Sequence, residues 1–165
     1  MSKIPAFDIQ TLEDFFKKLL DERSDLKASH DLNTRHALNA ILTACHLTDW
    51  AWETVVSRSD LHKKWGLHKP ALCCFRAFIE ERCPLQRAAR HVANGTKHAK
   101  IKPVVTSIRE GAFYVSGFQS NAFQVSCLMV TTDDQTYRVS AFLDKLIVFW
   151  REFLTTELNL TISST

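Results

Sequence analysis

The side chains with the greatest chemical capability lie close together in residues 87–98, RAARHVANGTKH. Because an α-helix advances by about 100° per residue, several of them fall on one face, which we call the basic stripe. Its members are Arg87, Arg90, His91, Asn94 and His98, with Lys97 at the edge. Imidazoles transfer protons and guanidinium groups stabilise a charged transition state, so the stripe could cleave a phosphodiester without a metal. The same cations could instead hold phosphate groups without reaction, or form the polar outer side of a surface helix.

A second polar stripe lies on the long helix predicted from about residue 33, and it contains His46, Asp49 and Glu53. Their spacing of i, i+3 and i+7 would let the three side chains converge, and one imidazole with two carboxylates could hold a divalent metal ion. Alternatively, Asp49 or Glu53 forms an ion pair with Arg35 or with an arginine of the basic stripe. The two helices would then meet in a polar seam that needs no ligand.

A helical chain whose late helix carries Arg, a polar residue and then His resembles the HEPN superfamily, helical proteins of prokaryotic defence and toxin systems that include ribonucleases. The family motif is Arg, four to six residues, and then His. In this sequence seven residues separate Arg90 from His98, and three separate Arg87 from His91. The resemblance covers residues 11–98. It implies a metal-independent endoribonuclease with Arg90, Asn94 and His98 as catalytic residues, in which two such motifs meet in a dimer.

The segment at residues 58–69 offers a third candidate surface, because it interleaves basic side chains with Trp65. Charge and aromatic stacking together could hold a single-stranded nucleic acid there. The alternative is a solvated connecting loop, broken by Gly66 and containing at most a short helical turn.

Helix signals account for most of the first hundred residues. Thr11 and Asp14 can form a capping box at the start of the first helix, after which apolar residues follow helical spacing. The second helix, of about 25 residues, begins near Asn33, and its wide apolar surface predicts that it is the most buried helix. Cys83 and Pro84 should end a third helix and begin a fourth, since a residue before proline disfavours α geometry and proline suits a first turn.

After residue 100 the apolar pattern changes to the alternation typical of strands. The β-branched and aromatic segments 104–108, 112–115, 123–130 and 136–139 predict a meander of three or four strands, with Glu110 and Gly111 between the first two. A final helix follows at residues 140–159. The fold class we predict is α+β: a mainly helical bundle of about five helices with a small antiparallel β-meander inserted before the last helix.

Composition indicates one soluble domain over residues 1–165, with the helical bundle at 8–98 and 140–159 and the meander at 101–139. Hydrophobic residues make up 45% of the chain and charged residues 24%, which is ordinary for a globular protein. The net charge of +3 is too small to indicate nucleic-acid binding without local clustering. Four glycines and the absence of the usual motifs exclude a phosphate-binding loop, and no cofactor is expected.

The five cysteines lack the spacing of a zinc site, so we expect buried, reduced thiols in a cytoplasmic protein. No membrane span or signal peptide is predicted. The leading hypothesis is an accessory or interaction protein, expected to be a homo-oligomer, that binds RNA or another anionic partner such as a protein. Arg87, His91 and Lys97 would bind that partner. The alternatives are the HEPN-type endoribonuclease and a metal-binding helical bundle.

Overall fold

A computed structural model describes residues 9–67, 71–97, 107–113, 125–132 and 135–162. These residues form six α-helices and a three-stranded sheet. In chain order the elements are α1 (Leu12–Ala28), α2 (Thr34–Val55), α3 (Ser59–Lys64), α4 (Leu72–Arg82), α5 (Pro84–Lys97), β1 (Ser107–Phe113), β2 (Val125–Thr131), β3 (Thr136–Arg138) and α6 (Val139–Glu152). A π-helical turn, Phe153–Glu157, continues α6.

The first helix begins with the predicted capping box. The Thr11 hydroxyl accepts a hydrogen bond from the Asp14 backbone N–H at 3.1 Å, and the Asp14 carboxylate accepts one from the Thr11 backbone N–H at 3.0 Å. These bonds satisfy amides that have no partner within the helix. The apolar face of α1 then buries Phe16, Leu19 and Leu26 completely, largely against α2.

The second helix lies at the centre of the bundle and packs against α1, α4, α5 and α6. Asn33 caps it by accepting hydrogen bonds from the backbone N–H groups of residues 35 and 36. Its fully buried alanines let neighbouring helices approach closely: Ala37, Ala40, Ala44 and Ala51. Its central position agrees with the prediction that it is the most buried helix.

The segment at residues 58–69 contains a short helix, as predicted, and most of its polar side chains are exposed, but part of it is buried rather than solvated. Within α3 and just after it, Leu61 and Trp65 are buried in the hydrophobic core, where the Trp65 ring packs against Phe75. The Trp65 indole N–H donates to the Glu157 carboxylate at 2.8 Å. That ring is therefore unavailable for stacking on a nucleic-acid base. Residues 68–70 lie outside the described part of the chain.

The strands form an antiparallel meander in the order β1-β2-β3, directly before α6. One prediction here is wrong: Glu110 and Gly111 do not separate two strands. They lie within β1, where Glu110 pairs with Leu128 and Gly111 with Cys127 of β2. Pairing along the whole of β2 outweighs the low strand propensity of a single glycine.

The last helix closes the bundle with the broad apolar face that its sequence predicts. Its Trp150, Phe142 and Leu146 are completely buried, and the helix contacts both α1 and α2. The α+β class is thus confirmed: a mainly helical bundle with a small antiparallel meander before the last helix. None of the helices that the structure describes is long and apolar enough to cross a membrane.

Candidate functional site

The basic stripe lies on α5, opposite the face with which this helix packs on α2. Small side chains make that packing possible, since Ala88, Ala89 and Ala93 are all buried. On the other side the Arg87 side chain is 59% exposed, and Asn94 is exposed as well. The helix therefore has the polar face that the sequence predicts, and a face of small buried side chains on its other side.

Two arginines of the basic stripe share one carboxylate of α4. Arg90 donates from Nε and Nη2 to the two carboxylate oxygens of Glu80, at 2.5 and 3.1 Å. Arg87 donates from Nε to Glu80 Oε2 at 3.3 Å. Burial alone would raise the pKa of Glu80, but its contacts with Arg90 and Arg87 lower that pKa below the ordinary value of 4.5. Glu80 is thus an ionised, nearly buried anion beneath two cations.

A second ion pair links α2 to α4. Arg76 donates from Nε and Nη2 to Asp49 Oδ1, at 3.2 and 2.7 Å, and His46 Nδ1 lies 3.6 Å from Asp49 Oδ2. Burial would raise the pKa of Asp49, but His46 and Arg76 together lower it. The carboxylate therefore stays ionised and faces both an imidazole and a guanidinium group.

A buried glutamine fixes the helices on which these pairs stand. Gln86 of α5 is only 2% exposed and donates to the Ala44 carbonyl, the Cys45 carbonyl and the Thr48 hydroxyl of α2, at 2.9, 3.2 and 3.0 Å. Its own carbonyl accepts the Trp150 indole N–H of α6 at 3.1 Å. Every polar atom of the Gln86 side chain therefore has a partner, so the residue ties three helices together.

These groups line a cleft of about 160 Å³ between α2, α4 and α5, which we call the polar cleft. Its lining residues are Cys45, His46, Thr48, Asp49, Arg76, Glu80, Gln86, Arg90 and Asn94. The two ion pairs occupy only one edge of each guanidinium group. Among the residues that the structure describes, Nη1 of Arg76 and Nη1 of Arg90 have no hydrogen-bond partner, and neither has the Asn94 amide.

The polar cleft unites part of each predicted site. Arg90 and Asn94 of the basic stripe line it together with His46 and Asp49 of the second stripe. Glu53 does not, because it lies exposed one turn beyond Asp49.

The other predicted residues of the basic stripe stand apart from the cleft lining. Arg87 reaches its edge through Glu80, and His91 is half-buried on α5. The side chain of Lys97 and the whole of His98 lie outside the described residues.

The proposed metal set does not assemble. Within the described residues no group of three or more His, Cys, Asp or Glu side chains could hold a metal ion. Asp49 faces Arg76 instead, and a guanidinium group is a competitor for the carboxylate rather than a second ligand. His46 and Asp49 alone supply too few protein ligands for a site of the usual kind.

The predicted polar seam exists in an altered form, because α4 supplies its partners. The acid of α2 pairs with Arg76 and the arginines of α5 pair with Glu80, so α2 and α5 make no direct ion pair among the described residues. Sequence reasoning missed Arg76, Glu80 and Gln86. The spacing of Arg76 and Glu80, four residues apart on one helix, was a signal for a polar face on α4.

Not all the cysteines are buried, contrary to expectation. Cys83 is buried, and burial raises the pKa of its thiol, but Cys45 and Cys74 are half-buried and Cys73 is exposed. Adjacent residues on α4 point in different directions, so the apolar face of that helix cannot include both Cys73 and Cys74. Cys45 contributes a thiol to the polar cleft.

The arrangement as a whole is rich in hydrogen-bond donors. Its carboxylates are already engaged by guanidinium groups, whereas the outer edges of those groups, the Asn94 amide and the His46 ring remain accessible to a bound molecule. Such a surface suits a ligand that carries acceptors and negative charge. Comparisons with protein-family models, with curated proteins and with solved structures found no match to this chain.

Proposed function

We propose that this protein is an accessory or interaction protein that binds an anionic partner, with RNA as the leading candidate, through the basic stripe of α5. One observation carries the proposal: a single carboxylate, Glu80, serves both Arg87 and Arg90. Two guanidinium groups against one carboxylate leave a surplus positive charge on the exposed side of the helix. Arg87 in particular donates to Glu80 only through Nε, so both of its terminal nitrogens remain available for phosphate oxygens.

The test compares Arg87→Gln with a matched control, Lys17→Gln, in RNA binding measured by fluorescence anisotropy. Lys17 is also exposed and also pairs with one acid, Asp21, so both variants remove one positive charge from an exposed side chain. Loss of a charge-assisted phosphate contact should weaken binding of single-stranded RNA about five- to tenfold in Arg87→Gln. The slope of log affinity against log salt should also fall by about 0.7 in that variant.

Two results would contradict the proposal. Equal losses in Arg87→Gln and Lys17→Gln would mean that RNA binding depends only on the overall charge of the protein. An absence of binding even at low salt, where electrostatic attraction is strongest, would remove RNA as a partner. Circular dichroism spectra of both variants should match that of the unchanged protein, so that folding does not enter the comparison.

A metal-independent endoribonuclease of the HEPN type is the second candidate, favoured by one feature of the polar cleft. Arg90 and Asn94, two of the predicted catalytic residues, lie beside His46, whose ring faces the Asp49 carboxylate. A His98→Ala variant that keeps its fold and its RNA affinity but loses cleavage in the presence of a chelator would support the enzyme. Unchanged cleavage in that variant would exclude His98 from the chemistry.

Assembly and location are part of the proposal. The dimers that ribonuclease members of the HEPN superfamily form lead us to propose a homo-oligomer here, which multi-angle light scattering tests directly. A cytoplasmic location is supported by the exposed Cys73 thiol, because such a thiol stays reduced in that compartment and is a liability outside it. Imaging of a tagged protein in its host cell would check the location.

A further inference from the structure

We propose that the polar cleft is a subsite for one phosphate group, held by Arg76, Arg90 and Asn94 from α4 and α5. This inference deepens the proposed function, on which it rests, by naming the chemical group that the site recognises. It also extends the site beyond the basic stripe, since Arg76 and His46 belong to other helices.

The hydrogen-bond donors that the two cleft arginines still have available support the subsite first. Arg90 holds Glu80 through Nε and Nη2, and Arg76 holds Asp49 through the same two nitrogens, so each arginine keeps Nη1 for another acceptor. A planar guanidinium group can bind one anion on each edge, and phosphate oxygens are the acceptors that match this geometry. The ion pairs therefore orient the arginines without exhausting them.

The size of the polar cleft supports a small anion as its ligand. At about 160 Å³ the polar cleft is smaller than the roughly 300 Å³ at which pockets begin to enclose drug-sized ligands. It can accommodate a tetrahedral anion with a few ordered waters, but it does not enclose a drug-sized ligand. The remainder of a phosphorylated ligand would have to lie outside the cleft, along the exposed side of α5.

The charged side chains in and around the polar cleft also favour an anion. The cleft lining contains two guanidinium groups, two carboxylates and the His46 imidazole. Arg87, which shares Glu80, supplies one more cation at the edge. With Arg87 included, three guanidinium groups face two carboxylates, so an incoming phosphate meets one surplus positive charge, and the Asn94 amide can donate to it without losing any hydrogen bond among the described residues.

The experiment titrates inorganic phosphate into the full-length protein and follows amide and arginine side-chain signals by NMR. We expect shifts centred on the residues of the polar cleft. Asn94→Asp should weaken phosphate affinity about tenfold, because it places a like charge against the anion, and Asn94→Ala about fivefold, because it removes one donor. Gln10→Glu is the matched control: it makes the same amide-to-carboxylate change at an exposed position outside the cleft and should leave the affinity unchanged.

Shifts confined to other parts of the protein would overturn the subsite, and so would equal losses in Asn94→Asp and Gln10→Glu. Two RNA oligonucleotides then identify the source of the phosphate. A preference for a 5′-phosphorylated strand over its 5′-hydroxyl counterpart, abolished by Asn94→Asp, assigns the subsite to a strand end. Phosphate binding without such a preference assigns it to a small phosphorylated molecule.

The same variants separate this inference from the proposed function. If RNA binding requires Arg87 but inorganic phosphate does not bind in the cleft, the proposed function stands and the phosphate subsite is refuted. If inorganic phosphate binds in the cleft and RNA does not bind, the subsite stands and the proposed function is refuted.

Discussion

Replacing Gln86 by leucine tests the physical reasoning behind the site most sharply, because this one side chain connects α5 to both α2 and α6. It is almost completely buried and makes four hydrogen bonds. Three of the four run to α2, where two of the acceptors are main-chain carbonyls. The fourth comes from the indole N–H of Trp150, which is fully buried in α6.

The four bonds do not contribute equally to the expected loss. The two carbonyls lie inside α2 and still accept their helical N–H partners after the substitution, so they lose little. The indole N–H of Trp150 has no such alternative, and leaving a buried donor without an acceptor costs about 1–3 kcal/mol. Adding the remaining bonds, we expect Gln86→Leu to lower the free energy of unfolding by about 2–3 kcal/mol, out of a total of about 5–15 kcal/mol for a domain.

The measurement is a double-mutant cycle with Trp150→Phe, using chemical denaturation followed by circular dichroism. Phenylalanine has no N–H, so the double variant no longer contains the orphaned donor that makes Gln86→Leu costly. The double variant should therefore be more stable than the sum of the two single losses predicts, by about 1–2 kcal/mol. The dependence of unfolding free energy on denaturant should stay the same in all four proteins.

Additive losses of unfolding free energy in the two single variants would refute this reasoning. If the losses of Gln86→Leu and Trp150→Phe simply add, the hydrogen bond between the two side chains carries no net stability. A loss below about 0.5 kcal/mol in Gln86→Leu would go further, because it would mean that the buried amide contributes nothing beyond filling space.

Two further predictions concern α4. Because the folded-state pKa of Glu80 lies below 4.5, its ion pairs stabilise the protein above that pH and lose their effect as pH falls through the depressed value. The stability difference between the unchanged protein and Glu80→Gln should thus shrink on acidification in thermal melts from pH 6 downwards; a constant difference would contradict it. Phe75→Ala should cost about 3–5 kcal/mol in denaturant titrations, since this ring is completely buried among four other aromatic residues, whereas half-buried Phe149→Ala should cost clearly less.

The fold could be predicted well wherever the signal was local. The capping box at Thr11, the start of the second helix near Asn33 and the helix boundary at Cys83 and Pro84 depend on a few neighbouring residues, and the structure contains all three. The course of β1 through Gly111 could not be predicted in this way. Strand pairing depends on a partner more than ten residues away, and a glycine that reads as a turn locally is held extended by that partner.

The site was harder to predict because its geometry depends on three helices at once. Helical periodicity correctly placed Arg90 and Asn94 on one face, and His46 and Asp49 on another. It could not show that α4 would pack against both of these helices, because the order of helices in the sequence does not fix which of them become neighbours. The partners Arg76 and Glu80 followed only from the packing of α4, and Gln86 was missed because a single polar residue on an apolar face gives no periodic signal.

The sequence leaves open whether these residues form a structural seam or a binding site. The two are alternatives only if an ion pair occupies every hydrogen-bond donor of its arginine. In this protein it does not. Glu80 takes two donors of Arg90 and one of Arg87, and a guanidinium group has five. The carboxylate holds both side chains in fixed positions, which lowers the conformational entropy that a ligand would otherwise have to remove. The pairs that stabilise the junction of α2, α4 and α5 are thus also the means by which its remaining donors are directed towards a phosphate group.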